Sequence, residues 1–270
     1  MMHYSTYSYR IKPIYTSSSG YTWIFLPGGP GLGSAYLEPL CISLNLPGTT
    51  LLVDFPKDGA NTEGLLNFAY WKKGLIDLIS NCKNPVLVTH SFSGMFALDT
   101  PELEPYLTGL VLMNTTTRNT FFEYVGKMQN LHQLPDLVPA AAEYHLSPSS
   151  ETYKAFWNTY KYYCFTTEEL TLGEQMISLF TFNSSSYHYA IEHFYVDYQY
   201  HWQPKIPTLT IASEKDFICP PAIFTEDKIF QQDHILNKII SQAGHCPWIL
   251  YLNEMKYCFN EYILKIESQM

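Results

Sequence analysis

Short apolar runs recur along the chain, most of them preceded by glycine or proline. TWIFL (22–26) lies between Gly20 and Pro27, and TTLLVDF (49–55) follows Pro47-Gly48. PVLVTH (85–90), TGLVLMN (108–114), IPTLTIAS (206–213) and NKIISQ (237–242) come next. Apolar runs with few polar interruptions, as in the four from 22 to 114, suit strands buried on both faces of a parallel sheet. The opening segment YSTYSYRIKPIY (4–15) alternates instead, and predicts a half-exposed antiparallel edge pair. Between these runs, residues 63–81 place Leu66, Phe68, Ala69, Leu75, Ile76 and Ile79 at helical spacing. Residues 247–267 do the same, with Pro247 at a plausible first turn. Strand–helix alternation of this kind predicts a doubly wound α/β fold, a mostly parallel sheet with helices on both faces.

The alternation stops between about Thr116 and Trp202. That stretch has helical periodicity, breaks at Pro135, Pro139 and Pro148, and is crowded with Phe and Tyr. It reads as a helical lid inserted after a central strand. Residues 1–115 and 203–270 then form the core, and 116–202 form the lid with the substrate-binding residues in it. Helices that merely cover one sheet face are the plainer alternative, but so long an insertion is unusual without a function.

Candidate chemistry clusters at the ends of the apolar runs. In VLVTHSFSG (86–94) a buried strand gives way at once to a helix-compatible stretch, with Ser91 at the join. A sharp strand-to-helix turn exposes a nucleophilic hydroxyl and needs small residues two places to either side. Here these are Thr89 and Ser93, with Gly94 just beyond. A helix-capping serine is the ordinary alternative. FLPGGPGLGS (25–34) follows the first buried strand, and its glycines let main-chain N–H groups approach a ligand. An oxyanion hole draws one donor from such a loop and one from the residue after the nucleophile, Phe92. Neither phosphate-loop pattern fits it. Asp216 lies just past a later strand, and His245 sits in a Gly-His turn before the final helix. Either is ordinary alone. Together the order Ser, Asp, His is that of the α/β-hydrolase arrangement, with Ser91 as nucleophile, His245 as base and Asp216 orienting it.

On these motifs the chain resembles the α/β-hydrolase superfamily, and most of all its proline-iminopeptidase-related branch. PGGPG (27–31) is similar to that branch's His-Gly-Gly-Pro-Gly loop, with Pro27 in place of the histidine. VDFPKDGAN (53–61) stands where the family has Asp-x-x-Gly-x-Gly-x-Ser, and AGHCPWIL (243–250) is similar to its Gly-His-x-Pro stretch. The resemblance implies the same triad, with Gly29 and Phe92 as oxyanion donors. True proline iminopeptidases have glycines flanking the serine and lid acids that hold a free amine. The lid does contain acids, notably Glu143, Glu151, Glu168, Glu169, Glu174, Glu192 and Asp197, and the adjacent Glu168 and Glu169 read as a solvated helix face.

Composition narrows the function further. A net charge of −9 gives no basic patch for nucleic acid and no attraction to an anionic membrane. No apolar run approaches a membrane span, the first residues do not resemble a secretory signal, and a cytoplasmic location is the default. The six cysteines are scattered, with no Cys-x-x-Cys pair, which suits free thiols and implies no metal. Cys219 and Cys246 read as small apolar fillers beside the triad, and His90 as structural. No cofactor is implied. The expected activity is hydrolysis of a small ester or amide by way of an acyl-enzyme, the partner being a small-molecule or short-peptide substrate. Aromatic residues make up 16% of the chain and favour an uncharged acyl or aryl group. The alternatives are a proline-iminopeptidase-like aminopeptidase, an acyltransferase, and a non-catalytic relative that binds a small ligand.

Overall fold

The computed structural model describes residues 2–18, 20–119 and 121–269. Strands β1 (His3–Tyr4), β2 (Arg10–Tyr15) and β3 (Tyr21–Leu26) open the chain, followed by α1 (Glu38–Leu44) and β4 (Gly48–Asp54). Helix α2 (Phe68–Ser80), β5 (Pro85–His90), α3 (Phe92–Leu98) and β6 (Gly109–Met113) follow. Five helices then occur in succession: α4 (Phe121–His132), α5 (Val138–Leu146), α6 (Ser150–Cys164), α7 (Leu170–Ile177) and α8 (Ser184–Ala190). The chain closes with β7 (Thr208–Ser213), α9 (Ile223–Glu226), β8 (Ile235–Ile240) and α10 (Leu252–Glu267).

The eight strands form one sheet in the order β1-β2-β4-β3-β5-β6-β7-β8. β1 and β2 pair antiparallel at one edge, as the alternation over 4–15 predicts, and β2 is also antiparallel to β4. All other pairings are parallel. The central strands β3, β5 and β6 are buried at every position. Their side chains alternate between two cores. Trp23, Phe25, Val86 and Val88 pack toward α1 and α10, while Ile24, Leu26 and Leu87 pack toward α2 and α3. The doubly wound architecture is therefore the observed one.

Boundaries moved where a side chain captured the backbone. Helix α2 begins at Phe68, later than the periodicity from residue 63 predicts, because the Asn67 side chain caps it by accepting from the Tyr70 N–H at 2.9 Å. The helix predicted over 247–267 is split: Pro247 opens a 3₁₀ turn (Pro247–Ile249), and α10 starts at Leu252. β8 runs over 235–240, two residues earlier than its apolar pattern. Helices α4 to α8 occupy the segment between β6 and β7; Tyr144, Tyr153 and Trp157 of these helices join one core, and Phe194 and Tyr198, just past α8, join the other. Among the described residues no helix is long and apolar enough to cross a membrane.

Candidate active site

Parallel strands present their carboxyl ends on one side of a sheet, and loops leaving those ends gather there. β5 ends at His90, α3 starts at Phe92, and Ser91 alone makes the turn, at φ 55° and ψ −118°. That conformation is costly for a residue with a Cβ, on the order of 1–3 kcal/mol, and the surroundings hold it. The Ser91 N–H donates to the Met113 carbonyl at 3.0 Å. The Ser91 carbonyl accepts from the Thr115 hydroxyl at 2.7 Å and from the Gly94 N–H at 3.0 Å. The small residue the turn requires on its far side is Gly94, where a Cβ would meet the Thr115 side chain at 2.6 Å. Ser93 is fully buried; its hydroxyl accepts from the His90 N–H and reaches the Leu26 carbonyl at 3.0 Å. It has no path to a substrate.

Asp216, beyond β7, has no solvent exposure. Its Oδ1 accepts from the backbone N–H groups of Ile218 (2.9 Å) and Cys219 (3.0 Å). Oδ2 accepts from Asn114 Nδ2 at 3.0 Å and meets His245 Nδ1 at 2.8 Å. An ionised carboxylate only accepts, so the imidazole carries its proton on Nδ1, leaving Nε2 as the basic nitrogen. The His245 loop is held in turn from the inserted helices. The His245 N–H donates to the Cys164 carbonyl at 2.7 Å, and the Gly244 N–H donates to the Glu169 carboxylate at 3.1 Å. Glu169 is fully buried behind this loop, not on a solvated helix face. Burial raises its pKa, against the hydrogen bonds from Thr166 and Gly244 that favour the ionised form.

His90 bridges the two halves of the site. Its Nε2 meets the His245 carbonyl at 3.0 Å, and its Nδ1 meets the Tyr36 hydroxyl at 2.7 Å. A carbonyl accepts, so Nε2 bears the proton and Nδ1 accepts from Tyr36. The Tyr36 oxygen accepts from the Gly28 N–H at 2.7 Å. Burial, then the neighbouring His245, holds the His90 pKa well below its ordinary value, so the ring stays neutral.

The glycine loop crosses directly over the serine. A Cβ on Gly28 would lie 2.9 Å from Ser91 Cβ, so only glycine fits. Gly29 has φ +117°, and its carbonyl accepts from the Tyr195 hydroxyl at 2.6 Å. Among the described residues, the N–H groups of Gly29 and Phe92 donate to no other protein group. Asp58 supports this loop from below. Its Oδ1 accepts from the Gly31 N–H at 2.5 Å and the Ser186 hydroxyl at 2.7 Å, while its buried Oδ2 has no hydrogen-bond partner among the described residues.

Gly29, Ser91, Phe92 and His245 all line one cavity of about 690 Å³. Its far wall comes from the inserted helices, chiefly Tyr153, Phe156, Trp157, Tyr160, Tyr187 and Tyr195. No Asp, Glu, Lys or Arg among the described residues lines it. Of the nine acids between 116 and 202, all but Glu169 are exposed. Three thiols, Cys164, Cys219 and Cys246, also reach the cavity. Burial pushes each thiol's pKa well up, so they stay protonated and are poor nucleophiles.

The structure thus brings together all five residues singled out in the sequence. It adds Asn114, Glu169, Tyr36 and Asp58. Asn114 alone had a local signal, as a polar residue closing the apolar run 108–113 at a strand's carboxyl end. The other three take their roles from partners distant in sequence: Gly244 for Glu169, His90 for Tyr36 and Ser186 for Asp58.

No family model and no curated relative matches the chain. Solved structures do. A proline iminopeptidase-related protein from Thermus thermophilus matches with TM-score 0.74 at 15% identity, over 100% of this chain and 99% of its own. A thermophilic esterase from Thermogutta terrifontis matches with TM-score 0.73 at 14% identity, over 98% of each chain. The proline iminopeptidase of Mycobacterium smegmatis matches with TM-score 0.66 at 14% identity, over 100% of this chain and 99% of its own. The fold is therefore that of the α/β-hydrolases.

Proposed function

We propose that this protein is a serine hydrolase that cleaves a neutral, largely apolar ester through an acyl-enzyme. The observation that carries the reading is a strained, cavity-facing Ser91 sharing its cavity with His245, whose ring is bound by a buried Asp216. His245 Nε2 takes the Ser91 proton as Oγ attacks the ester carbonyl. Asp216 keeps the proton on Nδ1 and stabilises the imidazolium. The N–H groups of Gly29 and Phe92, two residues that line the cavity, then hold the developing oxyanion. The imidazolium then protonates the leaving alcohol, and water, activated by the same ring, releases the acid.

The choice of ester over N-terminal amide rests on the cavity wall. Burying a substrate ammonium without a carboxylate partner is prohibitive, and no acid among the described residues lines the cavity.

A broad fluorophosphonate followed by mass spectrometry tests the nucleophile: Ser91 is expected to be the labelled residue. Ser91→Ala is expected to abolish labelling and to lower kcat by on the order of 10⁴- to 10⁶-fold. Turnover retained in that variant refutes the assignment. The substrate class is tested with free-amine and acetylated forms of one amino-acid ester. The blocked form is expected to have the higher kcat/KM, and a preference of about tenfold or more for the free amine, about 1.4 kcal/mol, favours an aminopeptidase instead.

A further inference from the structure

Cys219 has no part in that reaction, yet its thiol stands beside the pair that does. Ligand atoms of Asp216, Cys219 and His245 all lie within 4.8 Å of one another, and all three residues are buried. We propose that these side chains form a site for a soft divalent cation of the zinc type, and that its binding switches the hydrolase off. The inhibitory half rests on the functional reading above; the site itself does not.

The donor set selects the ion. One thiol, one imidazole and one carboxylate suit zinc and its neighbours, whereas magnesium and calcium take oxygen ligands. Zinc bonds of about 2.0 Å to nitrogen and oxygen and about 2.3 Å to sulfur bring tetrahedral ligands roughly 3.3–3.7 Å apart. Closing the site therefore takes side-chain shifts of about an ångström. Cys219 and His245 both line the cavity, so an ion reaches them by the substrate's own route.

Charge and protons balance. The cation replaces the proton that His245 Nδ1 shares with Asp216 and the thiol proton of Cys219, and both protons leave to solvent. Thiolate and carboxylate together neutralise the dication, and the imidazole completes three protein ligands with a fourth position left for water. Asp216 Oδ1 stays anchored by the Ile218 and Cys219 N–H groups, so only Oδ2 changes partner. Hydrolysis stops because imidazole and carboxylate no longer hold each other. The ligands come from two loops and lie 3 and 29 residues from Asp216, a spacing no local metal motif describes.

Calorimetric titration of zinc chloride into the Ser91→Ala protein, which keeps all three ligands, is expected to show one site per chain in the micromolar range. Cys219→Ser, added to that background, is expected to weaken binding by more than the roughly tenfold that loss of an outer-shell partner costs. Cys246→Ser, one residue beyond the ligand histidine, is expected to leave binding intact. Cobalt chloride added to the wild-type protein provides a check free of folding effects, through a thiolate-to-cobalt charge-transfer band. No calorimetric site, no charge-transfer band, or equal affinity in Cys219→Ser overturns the site. Zinc bound to wild-type protein that keeps full ester turnover overturns the inhibition. A protein that binds zinc through Cys219 but hydrolyses nothing supports the site and refutes the hydrolase reading.

Discussion

Ser91 concentrates the tension between stability and chemistry in one residue. Its backbone sits at φ 55° with a Cβ attached, and releasing that constraint stabilises. Ser91→Gly is expected to raise unfolding free energy by about 1 kcal/mol in urea titration while removing all fluorophosphonate labelling. Equal or lower stability in the variant refutes the strain. Asp216 shows the opposite economy, with four donors converging on one carboxylate. Asp216→Asn presents an amide where His245 needs an acceptor, and kcat is expected to fall by on the order of 10⁴ with the fold kept, as circular dichroism can verify. Glu214, the other acid of the same segment, is exposed and accepts from Ser241 and Gln242. Glu214→Gln is expected to leave the rate within about twofold, in line with ordinary surface changes.

At the scale of elements, the inserted helices do more than their position between β6 and β7 implies. Every candidate catalytic residue lies outside 116–202, so sequence alone predicts that a short linker in their place spares hydrolysis of a very small ester. The hydrogen bonds argue otherwise. Cys164 and Glu169 hold the His245 loop, the Tyr163 carbonyl accepts from the Phe217 N–H beside Asp216, and Tyr195 and Tyr153 grip Gly29 and Pro30. Replacing 117–200 by a linker is therefore expected to abolish turnover of even p-nitrophenyl acetate, and persisting turnover shows the helices are only a cover. The same contrast explains what was legible in the sequence. Strands buried on both faces declare themselves as apolar runs, and turn residues such as Ser91 and Gly28 declare themselves by what the backbone demands. Glu169 offers no such mark: beside Glu168 it looks solvated, and only the Gly244 N–H, 75 residues away in sequence, makes it a buried support.

At the scale of the molecule, the buried Asp58 couples stability to pH. Burial displaces the Asp58 carboxyl from an ordinary 3.8 to about 7. Between those values the folded chain holds a proton that the unfolded chain has lost, so stability falls as pH rises through the window and the full loss is reached above pH 7. At about 1.4 kcal/mol per pH unit of displacement, the loss is on the order of a few kcal/mol. Asp58→Asn keeps the acceptor for Gly31 and Ser186 but cannot ionise. Its melting temperature relative to wild type is expected to climb between pH 5 and pH 8, and a constant difference refutes the account.

The bond from His90 to the His245 carbonyl spans 155 residues, and that from Asn114 to Asp216 spans 102. Closing chain segments of this length costs entropy before any contact rewards it, and such contacts form late. β5 and its turn, by contrast, need only β3 and β6, which are closer along the chain than either of those partners. After dilution from denaturant, tryptophan fluorescence is therefore expected to recover first and phosphonate reactivity to return only in the slowest phase. A refolding chain would pass through a compact intermediate that already has its nucleophile strand but no working base.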